Sequence, residues 1–210
     1  MADKIKFEGR VLGVQPRIRL TRSFDQRSHS YLGYLLRLTG YVDDRQEMYF
    51  TVGIGKAAYA KHQIEVGDDV SGHCLMPSDP RIEPGQYYKV SKLAVDKTEE
   101  PTEAEPPPWH GAAPELEIYR SRGHRRLSSK TYKSKCTSCL WSCEMPVEII
   151  VDHWNPGRKR YRRETFCYGP KSCSFYAAGP TRKVPGRSGM SFEEEDWIDE
   201  DATAHRGADE

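Results

Sequence analysis

The sequence has no apolar run approaching the ~20 residues needed to span a bilayer. Its first residues, MADKIKFEGR, carry no apolar core of the kind a secretory leader needs. The expectation is a cytoplasmic protein with no membrane partner. Catalytic signatures are missing as well. There is no GxxxxGK[ST] phosphate loop, GxGxxG, HExxH or GxSxG, and no HxE…PCxxC deaminase pattern. Asp152 and His153 set an acid beside a base, but neighbouring strand residues point to opposite faces. A binding or accessory protein is expected rather than an enzyme.

Core-forming residues are also scarce. Only 37% of the 210 residues are hydrophobic against 30% charged, and the mean hydropathy is -0.78. That composition favours two small modules with polar connections over one large core. Cysteine is nearly absent outside one stretch. Cys74 stands alone, while Cys136, Cys139, Cys143, Cys167 and Cys173 crowd into residues 136–173. In a reducing compartment such clustering favours metal over disulfides.

A net charge of +1 hides segregation. Residues 1–97 carry 15 bases and 12 acids, and residues 98–117 six acids and no base. Residues 118–190 carry 16 bases and 4 acids, and residues 191–210 one base and nine acids. A segment of charge +12 between acidic flanks points to a polyanion partner.

Residues 1–97 read as β structure. KIKFEGRVLGVQ opens as a strand, PRIRLTRSFDQRSHS as a basic loop, and YLGYLLRLTGYV as a second strand. DDRQ is a turn. MYFTVGIG alternates cleanly, with Met48, Phe50, Val52 and Ile54 on one side. KAAYAKHQ is a short helix, VGDDVSGHC leads a fourth strand, and YYKVSKLAVD forms a fifth. This order of elements resembles the OB-fold, a five-stranded, partly open barrel with a helix between strands three and four. The resemblance covers residues 4–97. It implies oligonucleotide binding on the face of strands two and three. That face would carry Arg37, Tyr41 and Tyr49, and the preceding loop would add Arg17, Arg19, Arg22 and Arg27. Basic side chains would follow phosphates and aromatic rings would stack on bases. The alternative is a tyrosine pair that merely stabilises the sheet.

Residues 98–117, with six acids, five prolines and Pro106-Pro107-Pro108, read as an extended acidic linker in which Trp109 is either a docking residue or a plain exposed ring. Residues 118–190 form a basic, Cys-rich metal-binding module. Cys136-x2-Cys139 has the spacing of a metal knuckle, and Cys167-x5-Cys173 is a looser second pair. Between them PVEIIVDHW and KRYRRETF read as antiparallel strands around Asn155-Pro156-Gly157. Two ligand pairs joined by a hairpin resemble a zinc ribbon over residues 136–173. The wide second pair and the extra cysteine depart from that family. The set Cys136, Cys139, Cys167 and Cys173 brackets the hairpin symmetrically, with Cys143 an alternative ligand and His153 a weaker one. The expected cofactor is zinc. An iron–sulfur cluster is the rival, since Cys-x2-Cys-x3-Cys plus a distal cysteine also suits one.

Arg158, Lys159, Arg160, Tyr161, Arg162 and Arg163 crowd the hairpin tip and its second strand. Both faces are basic, as expected for contact with a phosphate backbone, although charge runs are often only solvated. Residues 191–210 read as an acidic disordered tail. Phe192, Trp197 and Ile198 make the tail a possible protein-docking segment, or one that folds back on the basic module.

The sequence therefore predicts a mainly β protein, in which a small five-stranded OB-like barrel joins a metal-stapled, zinc-ribbon-like hairpin. The expected function is that of an accessory protein for single-stranded DNA or RNA. The alternatives are an iron–sulfur protein with a redox or sensing role and a protein-interaction adaptor.

Overall fold

The first strand sets the layout. The computed structural model describes residues 4–23, 26–98, 105–194 and 197–207, the side chains of 197–199 excepted. Strand β1 spans Ile5–Arg22 without a break, so it runs through the stretch expected to be a basic loop. Pro16, Ile18, Leu20 and Arg22 alternate as buried residues with the half-buried Arg17, Arg19 and Thr21. That is a period-2 pattern with an arginine in a core position, which the basic composition obscures.

β1 pairs antiparallel along nearly its whole length with β2 (Arg27–Val42), which pairs with β3 (Arg45–Ile54). The N-terminal half of β1 also pairs antiparallel with β4 (Asp69–Leu75), and β4 pairs with β5 (Tyr88–Asp96). Helix α1 (Lys56–His62) lies between β3 and β4 in sequence, and Tyr59 anchors it by stacking on Tyr34 at 3.8 Å. The start of β5 returns to β3. Val52 and Tyr87 form a parallel bridge, with Tyr87 N–H donating to Thr51 O (3.0 Å) and Gly53 N–H to Tyr87 O (2.8 Å).

The C-terminal half of β1 does something else. Leu20, Thr21 and Arg22 pair in parallel with Val147, Glu148 and Ile149 of β7 (Ser142–Ile150). β7 forms the expected hairpin with β8 (Lys159–Cys167), and β6 (Arg125–Arg126) borders β8. The principal sheet is therefore mixed, in the order β3-β2-β1-β7-β8-β6, with β4 and β5 branching from β1. The molecule is mainly β, and among the described residues no sheet closes on itself. One hydrophobic cluster runs from Phe7 and Leu36 through Leu20 and Val147 to Phe166 and Tyr168. Leu20 and Val147 are fully buried at the seam. Burial is worth about 2 kcal/mol for each such side chain, enough to hold the two halves as one unit.

The acid-rich residues 99–104 of the expected linker lie outside the described residues. The rest of that segment is packed. Ala113 N–H donates to Tyr59 Oη (2.5 Å), Tyr34 Oη donates to Pro114 O (2.9 Å), and Leu140 N–H donates to Trp109 O (3.0 Å). Helix α2 (Leu116–Arg122) follows, with Tyr119 fully buried and donating to Leu140 O at 2.7 Å. The acidic tail is structured in part as well. β9 (Arg182–Pro185) and β10 (Ser191–Glu194) form a separate two-stranded ribbon. A short helix, numbered α4, spans Trp197–Thr203. Composition misses both segments because each is held by contacts to distant residues rather than by apolar content of its own. Among the described residues, no helix is long and apolar enough to cross a membrane.

One side chain joins the halves. Gln15 is 3% exposed. Its Nε2, with two hydrogens to give, lies 3.0 Å from Cys136 O, 3.2 Å from Thr137 O, 3.2 Å from Cys139 O and 2.8 Å from Ser142 Oγ, while its Oε1 accepts from Tyr132 Oη (2.8 Å). Two positions earlier, β1 passes so close to the same turn that a Cβ on Gly13 would stand 2.8 Å from Ser138 Cα. Replacing Gln15 by Leu strands several buried polar groups. It is expected to cost about 3 kcal/mol, measured as a lower midpoint in denaturant unfolding with an unchanged slope.

Candidate functional site

The cysteine-rich turn is built locally. Helix α3 (Ser129–Thr131) runs directly into a π-helical turn, Tyr132–Cys136, and Cys139 N–H then donates to Cys136 O (3.1 Å). This closes the two-residue knuckle that the spacing predicts. The register of β7 against β8 sorts the remaining cysteines. Ser142 lies opposite Cys167, and Cys143 lies opposite Phe166. Facing residues share a side and successive ones alternate. Cys167 therefore joins the knuckle side, where Ser142 donates to the carbonyls of Cys136 and Cys139. Cys143 turns into the large core with Phe166.

Cys136, Cys139 and Cys167 pack in one small cluster with Leu127 and Tyr132. Cys173 is half-buried nearby, held in a turn by its N–H to Pro170 O (3.2 Å). The sulfurs are supplied with donors. Gly169 N–H reaches Cys167 Sγ at 3.3 Å, and the N–H groups of Trp141 and Trp109 point to Cys139. As free thiols these groups are protonated. Burial, then the neighbouring Cys167 and Cys173, pushes Cys136 up to about 11, and burial pushes Cys139 up to about 12. Among the described residues, no three His, Cys, Asp or Glu side chains are arranged to hold a metal ion as they stand.

Beside the cluster runs a groove of about 480 Å³. Arg37 and Thr51 line it from β2 and β3, Gln86 from the loop before β5, and Lys133 and Thr137 from the knuckle segment. Arg163 closes it from β8, and Glu144 is the one acid among the lining residues. At its rim the Arg37 guanidinium lies 4.8 Å from the Tyr49 ring centre, a cation–π contact. Tyr49 is 55% exposed and Tyr41 45%. Arg37 and Tyr49 thus meet at the groove, whereas Tyr41, beyond the β-bulge between Leu38 and Gly40, lines a separate depression with Arg10, Thr39 and Asp69. Lys133, Thr137 and Gln86 were not singled out from the sequence.

The other predicted contact residues have varied surroundings. Arg17 makes a two-pronged pair with Glu83 (both contacts 2.6 Å), with side chains 11% and 9% exposed. Arg22 is buried on Glu194, and Arg19 is half-buried on β1. On β8, Lys159 pairs with Glu148 (3.0 Å) and Arg162 with Glu164 (2.5 Å), and Arg163 donates to the carbonyls of Pro80 and Glu83, both at 2.9 Å. The Arg81 guanidinium covers the Tyr161 ring at 4.3 Å. Arg158 and Arg160 are exposed at the hairpin tip, with no ion pair among the described residues. Position along β8 explains the difference. Its first residues project beyond the core, and the later ones face either the 79–86 loop or the β9–β10 ribbon.

No protein-family model, curated protein or solved structure matches the chain. Functional inference therefore rests on the geometry alone.

Breaking a buried ion pair leaves a charge with no partner, whereas an exposed charge is solvated either way. Arg17→Gln is accordingly expected to lower stability by about 3 kcal/mol, and Arg160→Gln to change it by no more than about 0.5 kcal/mol. Urea unfolding of the two variants checks the contrast.

Proposed function

We propose that the protein binds single-stranded nucleic acid along the groove between the β2–β3 face and the cysteine knuckle. The observation that carries this reading is the convergence on one groove of Arg37 with its exposed Tyr49 partner, Lys133 and Arg163. Cations there follow the phosphates, and the free face of Tyr49 takes a base, a combination that tolerates any sequence. Residues 4–97 serve as an OB-like barrel. Support comes from the pairing of β1 with both β2 and β4, the helix between β3 and β4, and the parallel approach of Tyr87 to Val52 that brings β5 back to β3. Arg158 and Arg160 supply further backbone contacts at the hairpin tip.

The thiol cluster serves as a structural zinc site of the ribbon type, with Cys136, Cys139, Cys167 and Cys173 as ligands. The donor set fits such an ion: two pairs flank a hairpin, and backbone N–H groups are aimed at the sulfurs. When bound, zinc would hold the thiols as thiolates and draw the two turns together. The place of Cys143, turned into the core opposite Phe166, favours zinc over an iron–sulfur cluster that would need Cys136, Cys139 and Cys143 together.

Fluorescence anisotropy with a labelled oligothymidylate tests the binding surface. Affinity is expected to fall steeply with salt, with a slope that shrinks by about 0.7 for each phosphate contact removed. Arg37→Glu should weaken binding at least tenfold, and Tyr49→Ala should cost about 1–3 kcal/mol. Binding that ignores both substitutions, or that shows no salt dependence, would overturn the groove assignment.

Metal analysis of anaerobically purified protein tests the thiol cluster. Colourless protein with about one zinc per chain is expected. Cys143→Ser should keep the metal, and Cys167→Ser should lose it and lower the thermal midpoint. Brown, iron-containing protein, or loss of metal on changing Cys143, counts against the assignment.

A further inference from the structure

A second basic cluster lies where the ends of β1 and β2 meet β8 and the β9–β10 ribbon. Its occupant comes from the chain itself. Glu194, on β10, receives two hydrogen bonds from Arg22 (2.8 and 2.7 Å) and a third contact from Arg27 at 3.3 Å. Glu164 lies behind it, 3.8 Å from Arg22, 2.5 Å from Arg162 and 2.9 Å from Arg182. Four guanidinium groups thus surround two carboxylates. Arg162 Nη2 is buried with no hydrogen-bond partner among the described residues.

The neighbouring histidine reports the resulting field. Burial first, then the charges of Arg27 and Arg22, bring His29 down to about 4, and Glu194 only partly opposes them. His29 Nε2 is itself buried without a hydrogen-bond partner among the described residues, and its ring lies 4.8 Å from that of the buried His124. Burial would raise the Glu194 carboxyl, but its hydrogen bonds from Arg22 and the charges of Arg22, Arg182 and Arg27 outweigh that and hold it below the usual carboxylate range. Among the described residues, two carboxylates face four guanidinium groups, an excess of positive charge. A phosphate brings more charge and more acceptor oxygens to the same guanidinium fork.

We infer that Arg22, Arg27, Arg162 and Arg182 form a phosphate-binding site, which the β10 strand closes by placing Glu194 in it as an internal substitute for the ligand. Strand β10 suits the part of a removable cover. Among the described residues it pairs with β9 alone, in a separate two-stranded sheet, and the ion pair between the two strands, Lys183 with Glu193 at 3.4 Å, is exposed. Phosphate entry would release β10 and take over the Arg22 fork, with Glu164 keeping Arg162 and Arg182 in place.

The test uses the full chain and inorganic tripolyphosphate at low salt, followed by calorimetry. Glu194→Gln removes the competing charge, and it is expected to bind at least tenfold more tightly than the unaltered protein. Adding Arg27→Glu in that background should abolish the gain. Equal affinity with and without Glu194→Gln, or a gain that survives Arg27→Glu, overturns the site. Should Glu194→Gln not fold, hydrogen exchange on the unaltered protein decides. Amides of β10 should exchange faster as tripolyphosphate is added, and unchanged protection overturns the inference. Displacement of tripolyphosphate by oligothymidylate assigns the phosphate to a nucleic-acid backbone, and its absence assigns it to a free polyphosphate. Either result supports the site. The outcome is independent of the groove, because Arg37→Glu leaves this cluster intact.

Discussion

The buried amide of Gln15 is the contact on which the rest of the arrangement depends. The knuckle places several carbonyl oxygens toward the sheet, away from water, and each needs a donor. One side chain, presented by β1 more than a hundred residues earlier in the sequence, brings two amide hydrogens within reach of three of them and of the Ser142 hydroxyl. Without it the turn that carries Cys136 and Cys139 would have unsatisfied polar groups against β1. With it, the turn has one position relative to β1. The groove gains its second wall as a result, since Lys133 and Thr137 lie on the same segment.

Charge in this protein works largely inward. Arg17 with Glu83, and Arg22 with Glu194, are buried pairs between elements far apart in sequence. Such pairs are costly to desolvate and costly to break, so they add specificity of arrangement more than net stability. They fix the 79–86 loop over β1 and the β9–β10 ribbon over the end of the same strand. A count of arginines along the sequence cannot separate these from Arg37, Arg158 and Arg160, which face outward. The separation is made by which acids the fold brings within reach.

The legible and illegible parts of the sequence divide on the same physical ground. β3, α1 and the β7–β8 hairpin announce themselves through local alternation, helical composition and the Asn155-Pro156-Gly157 turn. Their information sits within ten or so residues. The Cys136–Cys139 knuckle is equally local. The continuation of β1 past Pro16 depends instead on β2 along one edge and β7 along the other. The packing of residues 105–115 depends on Tyr34, Tyr59 and Leu140. Neither leaves a periodic trace strong enough to outweigh a basic or proline-rich composition. At the candidate site, Arg37, Tyr41 and Tyr49 were within reach of alternation. Lys133, Thr137 and Gln86 were not, because only the tertiary fold sets them beside β2 and β3.

The shared sheet changes what a metal at the thiol cluster would do. In two modules on a flexible tether, an ion would fold its own hairpin and leave the barrel face untouched. Here β7 is hydrogen-bonded to β1, and the knuckle is pinned by Gln15 and passes within van der Waals distance of Gly13. Order in the knuckle therefore becomes order in the groove wall. A strand bound along that wall would be favoured by whatever holds the four cysteines together. By linkage, a bound strand would in turn favour the closed knuckle, because each contributes free energy to the same arrangement of the 132–139 segment. An ion at the thiol cluster and an occupant of the groove would be coupled through one buried turn.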